Sequence, residues 1–117
     1  MLQNKYNKFF YEFNDKKDYF ECHEILEEIW IEETNQNTKQ HPAIILLLIS
    51  VGMHHWSKNN ISGATKVFQR ALTNYKYLED VGEKLKIDTL KLKNILEIKL
   101  TAVINEETFS PFIIPKK

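Results

Sequence analysis

The run AIILLLISVGM, Ala43–Met53, limits the possible folds of this chain more than any other feature. It is shorter than the roughly 20 apolar residues that a helix needs to cross a bilayer. As a helix it would be apolar on every side, so other elements must surround it. The run therefore predicts the central helix of a small bundle, and it does not predict a membrane protein.

The rest of the chain favours more helices around that centre. With three glycines and three prolines in 117 residues, the sequence has few of the breaks that many short strands would need. The length suits a single domain, residues 1–117, that can bury a core without disulfides or a metal. We therefore predict an all-α fold, a single compact bundle of about five helices with a central apolar helix and an extended C-terminal tail.

Apolar spacing and capping residues give approximate boundaries for these helices. The stretch from Thr34 to Gln40 is polar and is the clearest loop. The tail from Phe109 to Lys117 holds four large apolar residues, so we predict either a strap lying over the bundle or a surface for a partner chain. The five predicted helices run from about Gln3 to Phe13, Asp18 to Glu33, Pro42 to Lys58, Asn60 to Gly82, and Asp88 to Asn105.

Charge and cysteine content restrict the partners and the compartment. The 16 basic and 16 acidic residues cancel, and Arg70 is the only arginine, so we expect no nucleic-acid partner. An acidic excess from Glu12 to Glu33 and a lysine excess from Lys84 to Lys99 are either solvated faces or a contact between subunits. The oligomeric prediction is thus a monomer or a homodimer. A single cysteine and an N-terminus unlike a signal peptide favour the cytoplasm.

The second predicted helix carries the residues that could do chemistry. His23 and Glu27 lie one turn apart and face the same way, on a stripe that also holds Phe20 and Trp30. Because an unpaired buried carboxylate is costly, the position of Glu27 on an apolar stripe predicts that His23 is its partner. Trp30 could line a pocket beside this pair or belong to the core.

Two adjacent histidines, His54 and His55, end the apolar third helix. That helix must be nearly surrounded, so at least one of the two should point into the bundle. If the second and third helices pack together, that histidine could approach His23 and Glu27. A His–Glu–His cluster of this kind resembles a three-ligand metal site with a position left open for water.

Two motifs carry a resemblance to a known family. The run YFECHEILEEIW, Tyr19–Trp30, resembles the first motif of domain-of-unknown-function family 309, an aromatic pair and His-Glu followed by a glutamate and a tryptophan at one-turn steps. His55, Asn60 and Gly63 with the alanine after it are similar to the second motif, in which a histidine closes the central helix and an Asn-x-x-Gly-Ala turn starts the next. Together the motifs reach from Tyr19 to about Leu72.

The resemblance implies a compact helical bundle in which His23, Glu27 and His55 lie near one another, with His55 favoured over His54. Family members are sometimes labelled predicted metal-dependent hydrolases. The chain departs from the family at Leu48, where a glutamine is common. If that glutamine contributes to a polar site, this chain lacks one of the site's members.

Two hypotheses for function follow. In the first, the protein is a metal-dependent hydrolase in which His23, Glu27 and His55 hold one divalent ion. Glu24 and Glu27 are then the candidate catalytic carboxylates, with Glu24 as base or as a partner of the metal ligands, and the substrate is an unidentified small molecule. In the second, the protein is a non-enzymatic structural or protein-interaction module in which the same cluster is only a buried polar network.

The turn before the fourth helix supports a local prediction of its own. Asn60 should cap that helix by accepting a hydrogen bond from a free backbone N–H group. Gly63 has no side chain, so the start of the helix can approach a neighbour closely. The alternatives are a tight capped turn needed for packing and an anion site at the helix N-terminus.

Overall fold

The structure is a computed structural model that describes residues 2–34 and 41–117, with the side chains of 5–33 and 41–117. In these residues the regular secondary structure is helical, with one isolated antiparallel bridge between Ile87 and Lys116 and a largely extended C-terminal segment. The predicted all-α class is confirmed. The helices are α1 (Leu2–Phe10), α2 (Tyr19–Thr34), α3 (Pro42–Ser57), α4 (Ile61–Thr73), α5 (Lys76–Glu79), α6 (Gly82–Leu85) and α7 (Thr89–Ile104), and a π-helical segment (Tyr11–Lys16) continues α1.

The apolar run forms the middle of the bundle, as predicted. Helix α3 packs against α2 and against α4, and Pro42 begins it in the first turn. Gly52 allows the close approach to α4, because a methyl group there would lie 2.7 Å from the ring of Phe68. Four large side chains on α3 are fully buried: Ile45, Leu46, Ile49 and Met53.

The first helix continues further than its predicted end at Phe13. Beyond Phe10 the backbone widens into the π-helical segment, which ends where Lys17 adopts a left-handed conformation with φ of 56°. Asp18 then caps α2 as predicted, since its Oδ1 accepts from the N–H of Glu21 at 3.1 Å. Four aromatic residues at helical spacing along this segment form one stripe, and all four are buried: Tyr6, Phe9, Phe10 and Phe13.

The prediction of one continuous fourth helix from Asn60 to Gly82 was wrong, because the structure has three separate helices in this region. The helix stops at Asn74 and again at Asp80, and two short helices, α5 and α6, follow α4. The apolar seam of the predicted helix stays buried across the first break, which is why apolar spacing did not reveal that break. The seam consists of Ala64, Phe68, Ala71, Tyr75 and Leu78. Tyr75 holds the turn in place, because its hydroxyl donates to the carbonyl of Thr89 at 2.6 Å.

The segment 105–117, called the C-terminal strap from here on, lies over the bundle as one of the two predictions had it. Phe109 packs edge-on against Trp56 with ring centroids 5.3 Å apart, and Phe112 packs against Phe13 at the same distance. Backbone and side-chain hydrogen bonds fix the strap to three other segments, through Trp56 Nε1 to Glu107 O, Ile114 N to Asn14 Oδ1, and Asp88 N to Pro115 O.

The polar loop predicted from Thr34 to Gln40 lies outside the described residues except for Thr34, which ends α2. In the described part of the chain, every helix is too short or too polar to cross a membrane.

Candidate functional site

Helix α2 buries one side against the bundle, and His23 and Glu27 lie outside that side and are partly exposed to solvent. The buried seam of α2, at steps of three, four and three, consists of Tyr19, Cys22, Leu26 and Ile29, and Ile25 beside the seam is also buried. His23 and Glu27 each follow a seam residue, so they are rotated by about 100° from it. Their side chains are 34% and 46% exposed, so the prediction of a buried pair was wrong. The stripe that holds them is the edge of the helix and not its core face.

The His23–Glu27 pair is close but is not hydrogen-bonded. His23 Nε2 lies 3.6 Å from Glu27 Oε2, within ion-pair range and beyond the usual length of a hydrogen bond. Glu24, the other candidate carboxylate, is exposed on the same turn. An imidazole and a carboxylate that are both open to solvent can exchange protons with a ligand or offer it two donor atoms.

Phe20 is an exposed aromatic ring between two histidines. Its side chain is 59% exposed, and its centroid lies 6.4 Å from His23 on the same helix and 6.4 Å from His54 on α3. Together with Tyr19 and Val51, these three rings line a depression of about 210 Å³ between α2 and α3.

A second depression adjoins the first and is more basic. It measures about 440 Å³ and shares Tyr19, Phe20 and His54 with its neighbour. We call the two together the α2–α3 groove. The other residues lining the second depression are Lys16, Lys17, Asp18, Ser57, Lys58 and Phe109.

His55 has a different environment. Its Nδ1 lies 3.2 Å from Asn60 Nδ2, and its carbonyl accepts from the backbone N–H of Asn60 at 2.8 Å. Neighbouring residues on a helix point about 100° apart, so His54 and His55 cannot both face α2. The structure places His54 beside Phe20 and His23, and it places His55 at the turn into α4.

The predicted three-ligand set does not come together as a metal site. Within residues 2–34 and 41–117, no three histidine, cysteine, aspartate or glutamate side chains are arranged to hold a metal ion. His23 and Glu27 approach each other, whereas His55 is engaged with Asn60. The chain thus supplies two neighbouring donors on α2 and not the three expected from the family resemblance.

Asn60 caps α4 as predicted. Its Oδ1 accepts from the N–H of Gly63 at 3.0 Å. A methyl group on Gly63 would lie 2.7 Å from Asn60 Nδ2, so the close approach that glycine permits is to the capping side chain itself. The turn is thus tightly capped, as the packing alternative expects, and the anion alternative stays a prediction.

Two titratable groups on the buried seam of α2 are shielded from solvent, the hydroxyl of Tyr19 and the thiol of Cys22. Burial raises the pKa of Tyr19 to about 12, and its hydroxyl has no hydrogen-bond partner among the described residues. Burial, with a smaller effect from Glu12, also raises the pKa of the Cys22 thiol to about 12. Cys22 therefore lacks the lowered pKa and the exposure of a reactive thiol.

Sequence reasoning missed the open position of Phe20 and the lysines around the groove. One signal for the position of Phe20 was present in the sequence. The apolar seam of α2 already fills the side of the helix that faces the core. The stripe that holds Phe20 therefore had to lie beside the core. Trp30, predicted to line a pocket or the core, lines a different cavity on the far part of α2.

Comparison with known proteins gives a family and no activity. An uncharacterized protein of Bacillus subtilis (strain 168), YpuF, is 26% identical over 121 aligned residues, which cover all of this chain and 67% of YpuF. No solved structure matches the chain. The domain of unknown function DUF309 matches residues 6–67, a span that includes α2, α3 and the residues of the α2–α3 groove other than Phe109. The chain therefore belongs to the DUF309 family.

Proposed function

We propose that the protein is a non-enzymatic interaction module that binds a partner protein through the α2–α3 groove. The observation that supports this most strongly is the 59% exposure of Phe20 between His23 and His54. Aromatic side chains are enriched at the centres of protein interfaces, where they account for much of the binding energy. An open aromatic ring beside a preformed depression is suited to that use.

The lining of the groove indicates the chemistry of the partner. The first depression has the size and apolar walls to take one side chain, so the partner should present an apolar or aromatic anchor. The second depression has three lysines, Lys16, Lys17 and Lys58, against one carboxylate, Asp18. Such an excess of positive charge favours acidic groups and speeds their approach. The proposed partner segment is therefore an apolar anchor next to acidic residues.

Site-specific photocrosslinking in cells tests the proposal. A benzophenone amino acid replaces Phe20 in one strain and Tyr11 in another, because Tyr11 is also exposed, at 51%, and does not line the groove. We expect a discrete protein adduct from position 20 and none from position 11. The adduct identifies the partner, which is then purified for direct binding to the wild-type chain. Absence of an adduct at position 20, or equal adducts at both positions, would contradict the proposal.

A metal-dependent hydrolase is the second candidate, and one observation favours it. His23 Nε2 and Glu27 Oε2 are 3.6 Å apart and open to solvent, so both could approach one ion. Catalytic zinc sites usually have three protein ligands, and His55 lies beside Asn60. Among the described residues, these side chains do not form a complete metal site.

Metal binding separates the two candidates. The purified untagged protein would be assayed by elemental mass spectrometry and titrated with zinc, manganese and iron, beside His23→Ala and His55→Ala. Stoichiometric binding that both variants lose would favour the hydrolase and overturn the interaction module as the primary function. Absence of metal binding in all three proteins would contradict the hydrolase candidate.

A further inference from the structure

A separate cavity lies outside the α2–α3 groove and shares no lining residue with either of the groove's two depressions. It measures about 490 Å³, within the range of small-molecule pockets. Four helices contribute to its walls, which are largely apolar and aromatic. The lining residues are Trp30 from α2, Ile44, Leu47 and Leu48 from α3, Arg70 from α4, Asn74 at the end of α4, and Tyr77 from α5.

Arg70 is the one charged residue among the described residues of this lining, and it is the only arginine of the chain. Its side chain forms no ion pair or hydrogen bond with any residue that the structure describes. The backbone beneath it is well held, because the carbonyl of Arg70 accepts from both the N–H and the Nδ2 of Asn74, at 3.1 and 3.0 Å. The guanidinium thus extends from a fixed helix end and has an unused charge.

The position of the charge relative to the apolar wall indicates how a ligand would lie. Arg70 is exposed, whereas Leu48 is 8% exposed, so the guanidinium is nearer the mouth of the cavity and the leucine is nearer its floor. A ligand would meet the cation at the entrance and bury its apolar part against Leu47 and Leu48. This arrangement suits an amphipathic molecule with its charge at one end.

The charge balance of the lining selects the class of anion. Arg70 is the only charged side chain among the described lining residues, and another cation, Lys76, lies close by, with its Nζ 5.9 Å from the Tyr77 ring. A single guanidinium matches a single negative charge, and its fork of donors fits a carboxylate through two parallel hydrogen bonds. We propose that this cavity binds a small organic carboxylate with an apolar or aromatic body. Arg70 binds the carboxylate, and Trp30, Leu47 and Leu48 contact the body.

Titration with 4-phenylbutyrate, followed by NMR, tests this site in the intact protein. The methyl signals of Ile44, Leu47 and Leu48 and the indole signal of Trp30 report on the cavity. We expect saturable shifts at these positions, with an affinity at least about 10-fold lower in Arg70→Gln. The uncharged 4-phenylbutanamide should bind the wild type no better than the carboxylate binds Arg70→Gln.

Two control variants keep the result interpretable. Lys66→Gln removes a positive charge from the same helix, one turn earlier and outside the cavity, so it should bind like the wild type. Phe20→Ala alters only the α2–α3 groove and should also bind normally, which separates this site from the proposed function. The proposal is overturned by shifts that fail to saturate, by equal affinity in Arg70→Gln, or by an equal loss in Lys66→Gln.

Discussion

Tyr19 combines a structural cost with a position under the groove. Its ring packs edge-on against Phe13 at 5.1 Å and contributes to the core, but its hydroxyl is buried without a partner in the described part of the chain. Burying a hydroxyl without a hydrogen bond costs free energy, so the core would be more stable without that oxygen. Tyr75 is the opposite case, since its buried hydroxyl donates to the carbonyl of Thr89 at 2.6 Å.

We therefore expect Tyr19→Phe to raise the free energy of unfolding by about 1 kcal/mol. Tyr75→Phe, the matched control, should lower it by about 1 kcal/mol because it leaves the Thr89 carbonyl without its donor. Urea denaturation followed by circular dichroism measures both changes. Equal destabilisation by the two variants would show that the Tyr19 hydroxyl has a partner after all.

Cys22 should make the free energy of unfolding depend on pH in the alkaline range. The folded state raises the thiol pKa from its ordinary value of 9.0 to about 12, so above pH 9 the unfolded chain loses a proton that the folded chain keeps. The unfolded state is thereby favoured, and stability falls as pH rises from 9 toward 12, by up to about 1.4 kcal/mol per pH unit.

Replacing Cys22 with alanine removes that dependence. We expect the stability advantage of the wild type over Cys22→Ala to be constant below pH 9 and to shrink above it. Urea titrations of both proteins at a series of pH values give this difference directly. An advantage that stays constant through the alkaline range would mean that the thiol ionises equally well in the folded state.

At the scale of helices, the Asn60 cap stabilises the start of α4. Asn60 uses both atoms of its amide: Oδ1 accepts from Gly63 N, and Nδ2 lies 3.2 Å from His55 Nδ1. The cap thus joins the end of α3 to the start of α4 across a turn in which Asn59 has a positive φ of 61°. Capping alone is worth about 1 kcal/mol.

Two variants separate the cap from the histidine contact. Asn60→Ala should lower the free energy of unfolding by about 1 kcal/mol, since it leaves Gly63 N without an acceptor. Asn60→Asp keeps the accepting oxygen and replaces the amide that lies beside His55, so we expect most of the stability to remain. Thermal and urea unfolding compare the two, and an equal loss would place the energy in the His55 contact.

Local sequence patterns predicted which residues form helices better than they predicted where helices break or how helices pack together. The apolar run of α3, the cap at Asp18 and the seam from Ala64 to Leu78 follow from residue spacing and are present in the structure. The breaks after α4 and α5 leave that spacing unchanged, so periodicity could not detect them. The close approach of Gly52 to Phe68 is a contact between helices, which no local pattern encodes.

The candidate site was predicted only in part, because its geometry also depends on how helices pack together. The sequence identified α2 and the end of α3 as the polar region, and the structure brings His23, Glu27 and His54 to one groove and its edge. Which of two adjacent histidines faces α2 depends on how α3 is rotated in the bundle. A shift of one residue changes that direction by about 100°, and spacing within one helix does not fix it.

The C-terminal strap links distant parts of the chain at the scale of the whole molecule. It contacts the π-helical segment, the end of α3 and the turn before α7 through the side chains and hydrogen bonds described above. Alternating strap residues face in and out: Phe112 is half-buried against Phe13, whereas Ile113 is 58% exposed. The strap therefore acts as a packed part of the bundle.

Neighbouring substitutions test that conclusion. Phe112→Ala should lower the free energy of unfolding by about 2 kcal/mol, because it removes an aromatic ring from a partly buried contact. Ile113→Ala, its exposed neighbour, should change it by no more than about 0.5 kcal/mol. Urea denaturation of the two variants and the wild type measures the difference, and a negligible effect of Phe112→Ala would mean that the strap adds little to stability.

The most direct test of the central claim is the affinity of the crosslinked partner for three purified proteins: wild type, Phe20→Ala and Tyr11→Ala. Both rings are exposed, so neither variant should lose its fold. If the α2–α3 groove is the binding surface, Phe20→Ala weakens binding by about 30-fold or more and Tyr11→Ala changes it by less than about threefold, as measured by calorimetry. Equal affinities for the wild type and Phe20→Ala would contradict the claim and place the partner elsewhere on the bundle.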